Sequence, residues 1–289
     1  MKDRRDIFRE LQAIDRLPTL PAVIERLGCV IRDPNSDARR VSRIIEDDPA
    51  ITARVLKTVN SVFYAGSRPI SSVREAVARM GMNAVHNVAI STSVFGAFGE
   101  GPGGPSEREE FWRHSIITGI GAMVIYDRAQ DHLAGLYGRD VLHLAGLLHD
   151  MGKIVLDGFF HDEFVSALGI SRAESIPLQT AEERVIGANH AEVGSWLGIR
   201  WNLSPDLIQV IRWHHETRSA DAEHRDLVEM VHTANYICNL EGLARSGDGA
   251  PAYDHEVWKR LGLTVADIPE VVEQIREKAE KSELLLALA

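Results

Sequence analysis

Two cysteines, Cys29 and Cys238, are all that the 289 residues contain. That is too few for a disulfide framework or a cysteine-rich zinc site, and it fits a reducing compartment. No run reaches the roughly 18 apolar residues that a membrane span requires. The chain begins MKDRRDIFRE, which is basic but has no apolar stretch behind it, so no secretory signal is expected. Long proline- or serine-rich tracts are missing, which argues against extensive disorder. Basic excess is missing too: 32 Lys and Arg stand against 42 Asp and Glu, a net charge of −10. Such a balance opposes binding to nucleic acid, which is driven by cations displacing counterions from phosphates. The densest basic stretch, Arg39, Arg40 and Arg43, reads as a solvated helix face. Together these absences predict a cytoplasmic protein that has no membrane span and does not bind nucleic acid. What the chain has in unusual number is histidine, twelve in all.

Strand signals are also missing, since no alternating β-branched runs flank tight turns. Apolar residues recur instead at helical spacing, as in Ile44, Ile45, Ile51, Val55, Leu56 and Val59. Pro21 follows Thr19-Leu20, Pro49 follows Asp48 and Pro205 follows Ser204, each a proline with a capping oxygen just before it, as at a first helical turn. Gly81 follows a helical stretch where a C-terminal cap belongs. The predicted fold class is all-α. The glycine- and proline-rich stretch at 99–106 divides an N-terminal helical module, residues 1–98, from a helical domain at 107–245. A second loop, 246–251, opens a C-terminal helical extension, 246–289, whose end at Leu284-Leu285-Leu286 is expected to pack on the body of the protein.

Residues 140–153 read DVLHLAGLLHDMGK. Val141, Ala145 and Leu148 form one apolar stripe, so the spacing predicts a buried helix that Gly152 ends. His149 and Asp150 then sit at its buried end, where an imidazole and a carboxylate are costly unless paired or ligating a metal. A hydrogen-bonded structural pair satisfies that requirement as well as an ion does. Three further sites carry histidine near apolar helices: His114, His190, and the pair His214-His215. Imidazole nitrogen and carboxylate oxygen are what divalent transition metals take.

The order His114, His149-Asp150, His190, His214-His215 resembles the metal-ligand order of the HD superfamily, most closely the HD-GYP branch of metal-dependent phosphodiesterases that act on cyclic dinucleotides. The N-terminal half resembles the HDOD family, through Leu17-Pro18-Thr19-Leu20-Pro21, residues 48–56 (DPAITARVL), Asn60-Ser61-Val62-Phe63-Tyr64 and residues 70–77 (ISSVREAV). The likeness covers roughly residues 10–240. It implies an N-terminal helical module packed with an HD-domain-like bundle, and a role in bacterial signal transduction. It also implies a first metal site of Asp150, His190, His214 and His215. Asp150 would bridge to a second site of His114, His149 and a terminal aspartate, for which this chain has Asn235. The Gly-Tyr-Pro segment of HD-GYP proteins is replaced by Thr217-Arg218-Ser219-Ala220 after Glu216. Glu110, four residues before His114, matches a third-metal ligand of some HD-GYP enzymes, or is one solvated acid in the run Glu107–Glu110. Lys153 matches a lysine that faces a phosphate, or caps a helix C-terminus.

Two functions follow from the resemblance. The first is a regulatory HDOD protein that holds one or two divalent ions (Fe, Mn or Zn) and hydrolyses little or nothing. Its N-terminal helices would bind a signalling partner. The alternative is a phosphohydrolase acting on a cyclic dinucleotide or related phosphoester, with Asp150 and Lys153 in catalytic roles. Iron-dependent redox or oxygen chemistry is a third outlet for a histidine-rich site. His86, His132, His143, His161, His224 and His255 match no ligand position, and His232 reads as a core residue.

Overall fold

The computed structural model describes residues 4–14, 17, 19–61, 64, 68–98, 105–243 and 253–280, and among these every regular element is a helix. The N-terminal half carries α1 (Arg4–Ala13), α2 (Ala22–Ile31), α3 (Ala38–Glu46), α4 (Pro49–Val59), α5 (Val73–Met80) and α6 (Met82–Ala97). There follow α7 (Pro105–Ala129), α8 (Arg139–Leu148), α9 (Met151–Phe159), α10 (His161–Glu174), α11 (Leu178–Val185) and α12 (His190–Arg200). The last are α13 (Pro205–Trp213), α14 (Arg225–Leu240), α15 (His255–Arg260) and α16 (Ile268–Glu280). No helix among the described residues is long and apolar enough to cross a membrane.

Local chemistry explains most of the boundaries. The Asp48 side chain accepts from the amides of Ala50 and Ile51 at the start of α4, with Pro49 in the first turn. Asn189 caps α12 by accepting from the Glu192 amide. Gly81 closes α5 at φ 87°, where a Cβ would be strained. Pro21, expected in a first helical turn, stands one position before α2 begins and makes no side-chain capping bond. Pro105 and Ser106, expected in the loop 99–106, instead open α7, Pro105 being a residue suited to a first turn. The rest of that loop, 99–104, lies outside the described residues, as do Pro18, Val62, Phe63, the loop 246–251 and the tail Leu284–Leu286. Arg39, Arg40 and Arg43 are exposed on α3, as a solvated face requires.

Both halves share one apolar core, which runs without a break from Ile7 to Ile275. Phe98 at the end of α6 packs on Trp112 of α7 and on Trp201 after α12, with ring centroids 5.9 and 5.6 Å apart. Helix α1 crosses back to α12 through Phe8 against Trp196 and through an Arg4–Glu192 ion pair. At the centre lies α7, flanked by α8, α14 and α16, while α6 packs on α8.

Backbone approach sets the helix spacing at the two crossings that matter for function. A Cβ on Gly146 of α8 would overlap the Gly119 backbone of α7, and one on Gly119 would come within 2.6 Å of the His143 carbonyl oxygen. Gly152 was expected to end a helix and does not. The chain kinks at His149-Asp150, and Gly152 lies in the first turn of α9. Its missing side chain lets α9 rest on α12, where a Cβ would overlap the His190 carbonyl oxygen and sit 2.7 Å from the Gly194 nitrogen.

Gly152→Ala should therefore lower stability by more than about 2 kcal/mol, because the added methyl meets backbone rather than a yielding side chain. Gly158→Ala in the same helix meets nothing within 4 Å and should be neutral or stabilise by up to roughly 1 kcal/mol. Urea unfolding of both variants checks the contrast. A second expectation concerns acid. Burial pushes His143 down to about 4, and burial with the Arg32 charge does the same to His86. Both fold as neutral rings, so their contribution is complete above pH 6.5 and is lost as pH falls from 6.5 to 4. The loss reaches roughly 3 kcal/mol per group, since the unfolded chain binds the proton first. His143→Leu should flatten the urea midpoint against pH across that window.

Candidate metal centre

The kink between α8 and α9 presents Asp150 to three other elements, α7, α12 and the end of α13. Asp150, His114 of α7, His149, His190 of α12 and His214 after α13 are all fully buried, and His215 is partly exposed. The two carboxylate oxygens of Asp150 face different partners. Oδ1 lies 3.4 Å from His190 Nε2 and 3.5 Å from His214 Nε2. Oδ2 lies 3.2 Å from His149 Nε2, 3.8 Å from His114 Nε2 and 2.7 Å from Lys153 Nζ. His215 joins the first set, its Nε2 2.9 Å from that of His190.

The far side of each ring decides what the near side offers. His149 Nδ1 is 2.7 Å from the Gly146 carbonyl and His214 Nδ1 is 3.0 Å from that of Ile211. A carbonyl only accepts, so those nitrogens carry the proton and the neutral rings turn Nε2 lone pairs toward Asp150. His190 Nδ1 likewise donates to Glu182 Oε2 at 2.7 Å, an oxygen that also accepts from the His190 amide at 2.8 Å. Lone pairs thus converge on a carboxylate. His149 Nε2, Asp150 Oδ1 and His214 Nε2 are buried and have no hydrogen-bond partner. Lys153 supplies a donor to Oδ2 alone, and the acceptors left without one repel one another unless a cation lies among them, so the residues present fit a divalent transition ion.

The electrostatics agree. Burial pushes His214 down to about 4. It also pushes His215 well down, reinforced by the charges of His214 and His190, so both are neutral at ordinary pH, the form in which imidazole can take a metal. Asp150 is held well below the usual carboxylate range: burial opposes its charge, but His149 and Lys153 outweigh it. His190 is raised, because the Glu182 carboxylate overcomes the effect of burial. Negative charge that favours a proton on that ring also favours a metal ion.

Two groups of three or more residues that could hold a metal ion therefore come together, Asp150 with His190, His214 and His215, and Asp150 with His114 and His149. These are the two sets expected from the sequence. Asn235 is buried on α14, but its Oδ1 is turned to Asn239 Nδ2 at 2.6 Å. Glu110 belongs to neither group. It is exposed at the outer end of α7, before the buried stretch that opens at Trp112. Lys153 caps no helix C-terminus, since it stands in the first turn of α9. His232 is a core residue with a task, as its Nδ1 donates to the His214 carbonyl at 2.7 Å.

The residue that sequence reasoning missed is Glu182. It lies four positions after Leu178 on the buried face of α11, and a carboxylate on an apolar stripe was the signal that could have found it.

A helical bundle with histidines from several helix ends gathered on one buried aspartate is an HD-type protein. This chain belongs to the HDOD family, whose domain model matches residues 17–217. An HDOD domain protein of unknown function from Geobacter sulfurreducens is 28% identical and superposes with a TM-score of 0.75, over 99% of this chain and 98% of that one. A Shewanella amazonensis protein provisionally named a metal-dependent phosphohydrolase has the same fold at 21% identity, with a TM-score of 0.65 over 98% of each chain. An uncharacterized protein of Treponema pallidum is 28% identical over 224 residues, which are 77% of this chain and 42% of that one. The chain thus matches less than half the length of that relative.

Glu182 should matter as the partner that orients His190. Glu182→Ala is expected to weaken Mn2+ binding about 10- to 100-fold, the range for outer partners of ligating histidines, while Glu183→Ala changes it little. Equilibrium dialysis measures both.

Proposed function

We propose that this chain is a regulatory HDOD protein of the cytoplasm that holds one divalent transition ion through Asp150 Oδ1, His190, His214 and His215, and hydrolyses little or no phosphoester. The observation that carries this reading is the set of unpartnered lone pairs around Asp150, with three rings locked by Nδ1 hydrogen bonds. The first ligand set is complete at four residues, as transition ions prefer. The second has three, and its expected fourth member, Asn235, is engaged with Asn239. Fe, Mn and Zn all suit imidazole with carboxylate.

A link to the N-terminal helices supports regulation. Asp140, buried at the start of α8, accepts from Asn87 of α6 at 2.7 Å, and the same helix α8 runs into His149-Asp150. A change at the metal ligands is therefore one rigid helix away from the module that would meet a signalling partner.

The second reading is a metal-dependent phosphohydrolase on a cyclic dinucleotide or related phosphoester. It is favoured by the two ligand groups that share Asp150. When bound, divalent ions in such a centre supply Lewis-acid stabilisation to phosphoryl oxygens. The residues of this chain would contribute the Asp150 bridge and the Lys153 charge, while partly exposed His215 marks the side open to a ligand.

Protein purified without chelator or nickel resin should contain close to one transition ion per chain and release no product from cyclic dinucleotides above background. His190→Ala should lose most of the metal, and His224→Ala, far from Asp150 and bonded to Asp206, should keep it. Turnover of a cyclic dinucleotide at enzymatic rates would move the assignment to the hydrolase.

A further inference from the structure

We infer that the outward face of α1, together with the end of α12 on which it packs, is the docking surface for a partner protein, and that the segment it takes is acidic with an apolar anchor side chain. The inference rests on the regulatory reading for the existence of a partner, and adds where that partner sits and what it carries.

With 3.6 residues per turn, α1 presents separate sides. Ile7 and Leu11 are fully buried and fix the helix to the core. Arg4, Arg5, Phe8, Arg9 and Gln12 fall together on another side, where they line a cavity of about 470 Å³. Asp6 and Glu10 stand away from that side, although Arg9 reaches back to Asp6 at 3.3 Å. Phe8 meets the Trp196 ring of α12 with centroids 6.2 Å apart, and Arg200, one turn further along α12, lies over the same ring at 5.2 Å. Ile199 beside it is 62% exposed, an apolar side chain left in water. Arginine, tryptophan and phenylalanine are the residues in which protein interfaces are enriched.

Charge selects the partner. Arg4, Arg5, Arg9 and Arg200 are exposed here in a chain whose net charge is −10. Arg4 is paired with Glu192, which Arg212 also holds at 3.0 Å, so this side of α1 already binds a carboxylate of the chain's own. An acidic segment from outside is repelled by most of the surface and drawn to this face, which gives both specificity and rate. Nucleic acid is the weaker fit, because its long run of phosphates meets the acidic remainder of the molecule. Glu192 stands two residues after His190, so the docking face reaches the helix that carries part of the histidine cluster.

A display library of random dodecapeptides, selected on the immobilised full-length protein, tests this, with the best binder then measured by fluorescence anisotropy. Enriched sequences should combine several Asp or Glu with one Trp, Phe or Leu. The best binder should lose about tenfold or more in affinity when Arg5→Glu and Arg9→Glu are combined, and should weaken as salt rises. Arg39→Glu with Arg43→Glu on α3 adds the same charge elsewhere and should change affinity less than about twofold. Circular dichroism checks that each variant keeps its helices. Should the α1 reversal unfold, Arg5→Gln with Arg9→Gln carries the test, with an expected loss of about threefold or more. No enrichment, enrichment of neutral or basic peptides, or binding that survives the α1 substitutions would overturn the inference. So would tighter binding of an oligothymidylate than of the peptide at this face, or a wild-type dimer that the α1 reversal dissociates in sedimentation, since these give the face to nucleic acid or to a second copy. Turnover of a cyclic dinucleotide with peptide binding intact would remove the regulatory reading and leave the docking surface standing. No turnover and no acidic peptide would do the reverse.

Discussion

Asp150 carries a charge in a place without solvent, and the elements around it are arranged to offset that cost. An isolated buried carboxylate would neutralise or unfold the site. Here Lys153 meets one oxygen, and imidazole nitrogens from four separate segments surround both. The lone pairs facing Oδ1 leave the balance incomplete without a further positive charge, which is why the site reads as a metal centre rather than a structural ion pair. Glu182 makes the point again from the other side: a second buried carboxylate, placed behind His190, adds negative charge where a cation is wanted.

Such a cluster needs helices closer than ordinary side chains allow. The Gly119–Gly146 contact draws α8 onto α7 and brings His149 beside His114, and Gly152 draws α9 onto α12 and brings Asp150 beside His190. Backbone contact of this kind resists displacement, because closely packed interiors shift in discrete steps and do not stretch. Helix α8 is held at its start by Asn87 and at its end by the histidine cluster around Asp150. The continuous core between the two halves makes the N-terminal module part of the same mechanical unit.

Much of this was legible in the chain. Helical spacing and capping residues determined the all-α fold and most helix starts, since both act over a few neighbouring residues. Asp48 before Pro49 and Asn189 before His190 cap where their side chains dictate. The histidine order pointed to the two groups around Asp150, because buried imidazoles recurring on four helical segments have few other uses. Local signals misled where a residue served a distant contact. Gly152 looked like a helix stop and is a packing face. Glu110 shares a helix with His114, and of its two readings the solvated acid is the one that holds, since α7 is still exposed there.

What only the tertiary structure decided is everything that depends on which atom faces which. Sequence alone determined that His190 belongs to the histidine series, not that Glu182 locks its tautomer from another helix. It determined that Lys153 follows Asp150 by three residues, not that a kink at Asp150 begins a new helix and turns the ammonium onto Oδ2. Nor did it determine that the Asn235 amide oxygen turns to Asn239. The physical reason is range: hydrophobic period and capping are set by neighbours along the chain, whereas lone-pair direction and buried charge are set by contacts across it.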